Sequence, residues 1–296
     1  MRKPPAANPS LVPVDRMLLA FLALLAAVTA LFVPSPAFLL AAIAAMAACI
    51  VALARLRGRS RILHLAHGFV AVPVLAALVN AVGPAIAHLN PNRYDRALAA
   101  IDARFLGPLV LAWTNALGRP GWLTDAASIA YASYYLLAVV CAAVLYRQGR
   151  AAEFDRMVFS VSAVLLASYA AYFIAPAAGP RIPLAEAQAR LGGSWPSAAL
   201  RVFLHTCERN ELDAFPSGHT ATSLVFLFVA WPMFRRRRLL LAGMVAAIIF
   251  STVYLSLHYA IDVLAGAALA GVVFAALRRF AATRVRSDRW APISAS

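Results

Sequence analysis

Charge is what this chain has least of. Only 13% of its 296 residues are Asp, Glu, Lys or Arg, against about a quarter in an average soluble domain. A surface solvated all round is excluded by that shortage. Acidic residues are scarcest, 12 against 27 basic ones, which leaves a net charge of +15. Cysteine is rare as well. Three residues at wide spacing exclude a disulfide framework and a zinc pattern. Cys49 and Cys141 lie inside apolar runs and read as small packed hydrophobes, while Cys207 sits in a polar loop beside His205. The strict alternation of barrel strands is missing. So is a basic face with interleaved aromatics, which argues against nucleic acid as the partner of so basic a chain.

What remains is long uncharged runs, with 63% of the chain hydrophobic. In lipid a spanning segment satisfies its own backbone, so these runs are expected to be helices. The fold class expected is therefore all-α, a polytopic transmembrane bundle. Spans of about 20 apolar residues fall near 17–33, 37–54, 62–84, 125–146, 157–176, 218–234, 239–257 and 259–277, about eight in all. The apolar stretch from Met17 to Val33, behind Arg2, Lys3 and Arg16, is longer than a signal core and reads as an uncleaved first helix. Pro34 and Pro36 end it. Trp231-Pro232 marks a kink or early exit of the sixth run.

Arginine sets the orientation. Arg55 to Arg61, Arg147 to Arg156, Arg235 to Arg238 and Arg278 to Arg289 fill every second connection, in phase with the basic N-terminus. The positive-inside rule puts these, and both termini, in the cytoplasm. Anionic headgroups add a second use for the charge. The other connections, 85–124 and 177–217, then face the opposite side, the periplasm for a bacterial inner membrane. The first holds apolar stretches interspersed with Arg93, Arg96, Asp102 and Arg104, as expected of one or two interfacial helices. The second, with Gly179, Pro180, Pro183, Gly192, Gly193 and Pro196, is expected to be irregular. The chain divides into an N-terminal extra hairpin (1–61), a membrane domain (62–277) and a basic tail (278–296).

Two polar stretches stand out against this background, Phe215-Pro216-Ser217-Gly218-His219 and His258-Tyr259-Ala260-Ile261-Asp262. Ionisable groups are expensive beside apolar spans and mark function by default. Both stretches map to the same face, the one opposite the basic connections. Ser217 is a preferred cap for the helix that follows. A helix N-terminus attracts an anion through its amides and dipole, and Gly218 lets the ligand approach the backbone. His219 then sits beside that anion. Four residues apart, His258 and Asp262 share a helix face, so the carboxylate can hold one imidazole nitrogen and leave the other to attack. Arg181, in Gly179-Pro180-Arg181, lies just outside the fifth span on the same face, and a guanidinium holds two phosphate oxygens at once. Bland readings exist for each: a capped helix start, a structural ion pair, a lone loop arginine. Co-location is what favours chemistry at phosphorus.

The combination of GPR, FPSGH and YLSLHYAID followed by Leu264-Ala265-Gly266 resembles the type 2 phosphatidic acid phosphatase superfamily, most closely its inositol phosphorylceramide synthase-like branch. Ile101 to Gly107 (IDARFLG) resembles an upstream segment of that branch, and the likeness covers roughly 90–277. The resemblance implies His219 as general acid, His258 as the nucleophile that becomes phosphohistidine, Asp262 as its orienting partner, and Arg181 with the amides near Ser217 and Gly218 as phosphate holders. It implies no metal and no cofactor. Two cations of the family pattern are replaced, by Ile174 and Thr252. Fewer cations suit a monoanionic diester better than a dianionic monoester, so the expected reaction leans toward headgroup transfer from a phosphate-containing lipid to an alcohol. Hydrolysis of phosphatidate or a polyprenyl phosphate by water is the alternative, although Arg93, Arg96, Arg104 or Arg119 could restore the missing charge. A transporter would carry its ionisable cluster at mid-membrane rather than at helix ends, and an inert scaffold would keep the motifs only as packing.

Smaller features are expected to be bland. His64 and His67 read as interfacial polar residues, His88 and His205 as loop histidines. Tyr131, Tyr134 and Tyr135 read as packing aromatics, and Asn80 as a hydrogen-bonding group across helices.

Overall fold

Uninterrupted apolar runs give helices throughout, and no strand occurs among the described residues. The computed structural model describes residues 11–181 and 191–288, the side chains of residues 181 and 281–288 excepted. Twelve helices follow in order: α1 (Pro13–Phe32), α2 (Ala37–Leu56), α3 (Arg61–Gly68), α4 (Ala71–Leu89), α5 (Asp95–Phe105), α6 (Gly107–Leu117), α7 (Gly121–Arg147), α8 (Ala151–Tyr172), α9 (Trp195–Cys207), α10 (Gly218–Met233), α11 (Arg238–Tyr254) and α12 (Ala260–Asp288). Six segments are long and apolar enough to cross a membrane, with α3 and α4 together making the third. A seventh is added if α5 and α6, bent by 73° at their junction, count as one broken span. α10 and α11, of 16 and 17 residues, fall short of that length, so six or seven spans stand roughly in line with the eight expected. The molecule is an integral membrane protein.

Two hydrophobic clusters hold the bundle. One joins α1, α2, α4 and α8 around Leu18, Leu22, Ile50, Leu78 and Ile86. The other joins α7, α8, α10, α11 and α12 around Leu145, Met157, Val225, Phe226 and Ile248. α10 is the central element and packs on α8, α11 and α12. Its far end is held by Arg150, whose guanidinium donates to the Met233 carbonyl at 2.9 Å, a cation on a helix C-terminus.

Several sequence expectations need correction. Segment 177–217 is not irregular throughout, because α9 occupies its centre. The Gly, Ser and Pro residues read as loop signals are helix-start signals: Pro196 stands in the first turn, where its missing N–H costs nothing, and Asp125 accepts from the Ser194 and Ser197 amides at 2.9 and 3.3 Å. His67, read as an interfacial polar residue, is buried against another helix, with Nε2 3.0 Å from Oδ2 of Asp15, itself buried. Cys141 packs as expected, but Cys49 faces outward. Asn80 does bond across helices, donating to the Cys207 carbonyl and accepting from the Arg209 amide, both at 2.8 Å. Asn210 returns the contact through the Val79 carbonyl at 3.0 Å. α4 is thereby fastened to the loop that leads into α10.

Candidate functional site

The site forms where α10 and α12 begin. Ser217 caps α10, its Oγ accepting from the Thr220 amide at 3.3 Å, and His219 follows in the first turn. α11 ends in a tight reversal with Ser256 at a left-handed φ of 55°. There the Leu257 and His258 amides both donate to the Thr252 carbonyl, at 2.9 and 3.0 Å. His258 thus precedes α12 rather than lying on it. The expected pairing survives: Nδ1 of His258 stands 3.5 Å from Oδ2 of Asp262, and that oxygen also accepts from the Tyr259 amide at 2.8 Å. Asp262 is fully buried and His258 nearly so. With Nδ1 toward the carboxylate, Nε2 of His258 points the other way.

The two histidine segments are joined directly. The Ser217 amide donates to the Asp262 carbonyl at 2.9 Å. Gly266, one turn further along α12, admits the contact, since a Cβ there would meet the Ser217 carbonyl at 2.5 Å. The result is a ring-centroid separation of 5.7 Å between His219 and His258, with the rings tilted by 60°. Tyr131 and Tyr134 flank His219 at 4.5 and 4.3 Å. Gly266→Val is expected to lower kcat about 10²-fold, the order of loss for displacing a reacting group by about 1 Å. Gly271→Val, on open ground along the same helix, serves as the control. Equal activity of the two variants in detergent would show that the Gly266 contact positions nothing.

Residues the sequence reading passed over hold this arrangement. Asp102 accepts from the Ile261 amide at 2.9 Å and so caps α12 from α5. Asp95 accepts from the Ala178 and Gly179 amides at 2.8 and 2.9 Å. Gly179 adopts φ 72°, and a Cβ there would lie 2.8 Å from that of Ala214. These bonds, with that from the Ala214 amide to the Ala177 carbonyl at 3.0 Å, place the Gly179–Arg181 turn beside the histidines. The side chain of Arg181 lies outside the described residues, as do those of Arg284, Arg286 and Arg289. A signal for Asp102 existed in the IDARFLG segment; Asp95 carried none.

A cavity of about 440 Å³ opens beside both imidazoles. Tyr131, Tyr134, Tyr135, Glu208 and Asp213 line it at the histidine end, where the Tyr135 hydroxyl donates to Glu208. Its remaining walls are mostly apolar, with Ser162, Thr222, Tyr169 and Tyr172 the polar exceptions beside Cys207. A second cavity of about 370 Å³ adjoins it past Leu257 and Glu208, with Thr124, Ser128, Arg201, His205 and Glu211 on its walls. His205 therefore faces a cavity, whereas His88 is bonded to its own helix at the Pro84 carbonyl, 2.7 Å away. Ile174 is exposed and Thr252 is buried with its hydroxyl on the Ile249 carbonyl at 2.7 Å, so neither position supplies a cation. Arg93, Arg96, Arg104 and Arg119 are exposed, and none of them is among the described residues lining the histidine cavity.

Two imidazoles, one backed by a carboxylate, on the wall of a single cavity are suited to nucleophilic and acid–base work on one anion. A family model described as the PAP2 superfamily matches residues 96–276. Neither the curated proteins nor the solved structures yield a match. Because the family match covers more than half of the chain and contains both histidine segments, the chain belongs to the PAP2 superfamily of membrane phosphatases and phosphotransferases.

Proposed function

We propose that this protein moves a substituted phosphoryl group from a lipid donor to an alcohol acceptor through a phosphohistidine on His258. The observation that carries the reading is the 5.7 Å pairing of His219 and His258 on one cavity wall, with Asp262 behind His258. In the first step Nε2 of His258 attacks phosphorus, the bond from phosphorus to the donor oxygen breaks, and His219 protonates the departing alkoxide. In the second, His219 takes the proton of the acceptor hydroxyl, the new oxygen–phosphorus bond forms, and the nitrogen–phosphorus bond breaks. Asp262 holds the His258 ring and balances the positive charge that forms on it. The Gly218 amide, in the first turn of α10, and Arg181 hold the non-bridging oxygens. Ser217 contributes as a cap, because its own amide is committed to the Asp262 carbonyl.

Transfer is favoured over hydrolysis by charge. The two substituted cation positions add nothing, and Glu208 and Asp213 line the same cavity as the histidines. Carboxylates there repel a dianionic monoester and accept hydrogen bonds from a polyhydroxylated acceptor. The arginine pattern supports a reaction at the extracytoplasmic face, with both termini in the cytoplasm. Purified protein in vesicles, offered phosphatidate and a phosphodiester lipid in turn, is expected to transfer the headgroup of the diester to an added polyol faster than it releases phosphate from phosphatidate. Faster release from phosphatidate would turn the reading to hydrolysis.

A further inference from the structure

The long apolar part of the histidine cavity has no role in the chemistry above, and its geometry is regular. On α4 it is lined by Val72, Leu75, Ala76 and Val79, spaced as one helical stripe. On α8 the stripe is Met157, Val161, Leu165, Tyr169 and Tyr172. On α7, small Ala138 and Ala142 leave the space between. Both α4 and α7 pack on α8, so the cavity is a groove with α8 as its floor. Along α8 it runs from Tyr172, whose hydroxyl is what a Cβ at Gly218 would strike, to Met157, about 22 Å at the helical rise. One leaflet of hydrocarbon is about half of a 30 Å core. The groove therefore starts at the imidazoles and is longer than one leaflet of hydrocarbon is thick. It ends at Gly68 and Phe69, where Phe69, Phe154 and Tyr146 pack edge to face with centroids 5.4 to 6.1 Å apart.

We infer that this groove takes one extended hydrocarbon chain of the phosphate-bearing lipid, and that the Phe69–Tyr146–Phe154 floor limits its length. The inference rests on the proposed reaction only in taking the histidine end as the phosphate end. The occupant follows from continuity. A phosphate between His219 and His258 has its ester oxygen at the mouth of a slot whose walls below the tyrosines are almost wholly apolar, and only a hydrocarbon chain fills such a slot without unmet hydrogen bonds. α4, one of its walls, lies outside the segment matched by the family model. It is fixed there by Asn80 and Asn210 and by α1 packed behind it. Chain-length selectivity in this protein is thus shared between Phe69 and α4, outside the matched segment, and Tyr146 and Phe154, inside it.

The test uses the full-length protein in vesicles and the singly charged methyl monoester of a hexadecylphosphonate, whose phosphorus–carbon bond is not cleaved, with a diazirine on the terminal carbon of its chain. Illumination followed by peptide mapping is expected to place the label at Gly68–Ala76 and Met157–Leu165. With Ala76→Trp or Val139→Trp plugging the middle of the groove, labelling of those peptides is expected to fall about tenfold or more. Two plugs from opposite walls guard against a folding defect in either one. Label confined to lipid-facing positions such as Leu264 and Val272 overturns the inference, as does unchanged deep labelling in both plugged variants. The phosphonate reports the tail whether or not phosphorus is transferred. A labelled groove without turnover thus rejects the catalytic reading alone, and turnover with an unlabelled groove rejects this inference alone.

Discussion

His258→Ala is expected to lower kcat by at least about 10⁴-fold, the scale on which enzymes lose a covalent nucleophile, while the protein still inserts and folds. No neighbouring group replaces the imidazole: Tyr259 turns its amide to Asp262, and His219 is 5.7 Å away with its ring tilted across the site. Wild-type protein given a radiolabelled donor should hold the label covalently after rapid acid-free quenching, and the variant should not. The contrast with His219→Ala makes the test specific. Loss of a general acid costs about 10² to 10⁴ with an alkoxide leaving group. A nitrophenolate leaves without a proton, so with such a donor the first step of His219→Ala should approach the wild-type rate, and the labelled intermediate should accumulate for want of a base. His258→Ala should show no such rescue. If both variants retain full turnover, neither imidazole takes part in the chemistry and the phosphohistidine reading is finished.

The second large effect is expected at Asp262. Its side chain does two things at one oxygen, facing Nδ1 of His258 and accepting the Tyr259 amide. Asp262→Asn keeps the size of the group and removes its charge. In hydrolase triads the equivalent change drops kcat by about 10⁴. The present spacing of 3.5 Å is looser than a tight hydrogen bond, so a loss of about 10² to 10³ is expected, in kcat rather than KM, because binding and transition state lose different things. Asp262→Ala adds a structural penalty, since the Tyr259 amide then lacks an acceptor at the start of α12. A buried unmet donor costs about 1–3 kcal/mol. The expected pattern is therefore Asn inactive with near-normal thermal stability, and Ala inactive with a lowered Tm. An Asn variant with unaltered kcat would show that the carboxylate neither orients the ring nor balances charge.

Much of this architecture was legible without coordinates, for physical reasons. Lipid forbids unsatisfied backbone, so apolar runs had to be helices. The cap at Ser217 and the spacing of His258 and Asp262 are local and can be counted along the chain. What was missed is long-range. Asp95 and Asp102 look like ordinary surface acids on α5 until the fold brings them to amides at 178, 179 and 261. His67 finds Asp15 across 52 positions. α9 was hidden because Gly192, Gly193 and Pro196 are equally good punctuation for a loop and for a helix start, and Asp125 decides between them from another helix. The groove was invisible for a related reason. Its three stripes are each unremarkable, and only their convergence makes a cavity.

The bond from Arg150 to the end of α10 has a mechanical consequence. α10 is short and runs through the middle of the bundle, so it has little lipid contact of its own to set its height. One terminus abuts Ser217 and the Asp262 carbonyl; the other is hooked by the Arg150 guanidinium. A rod clamped at both tips cannot slide along its axis, and the elevation of the His219 ring is fixed by a charge at the other end of the helix, about 24 Å away at the helical rise.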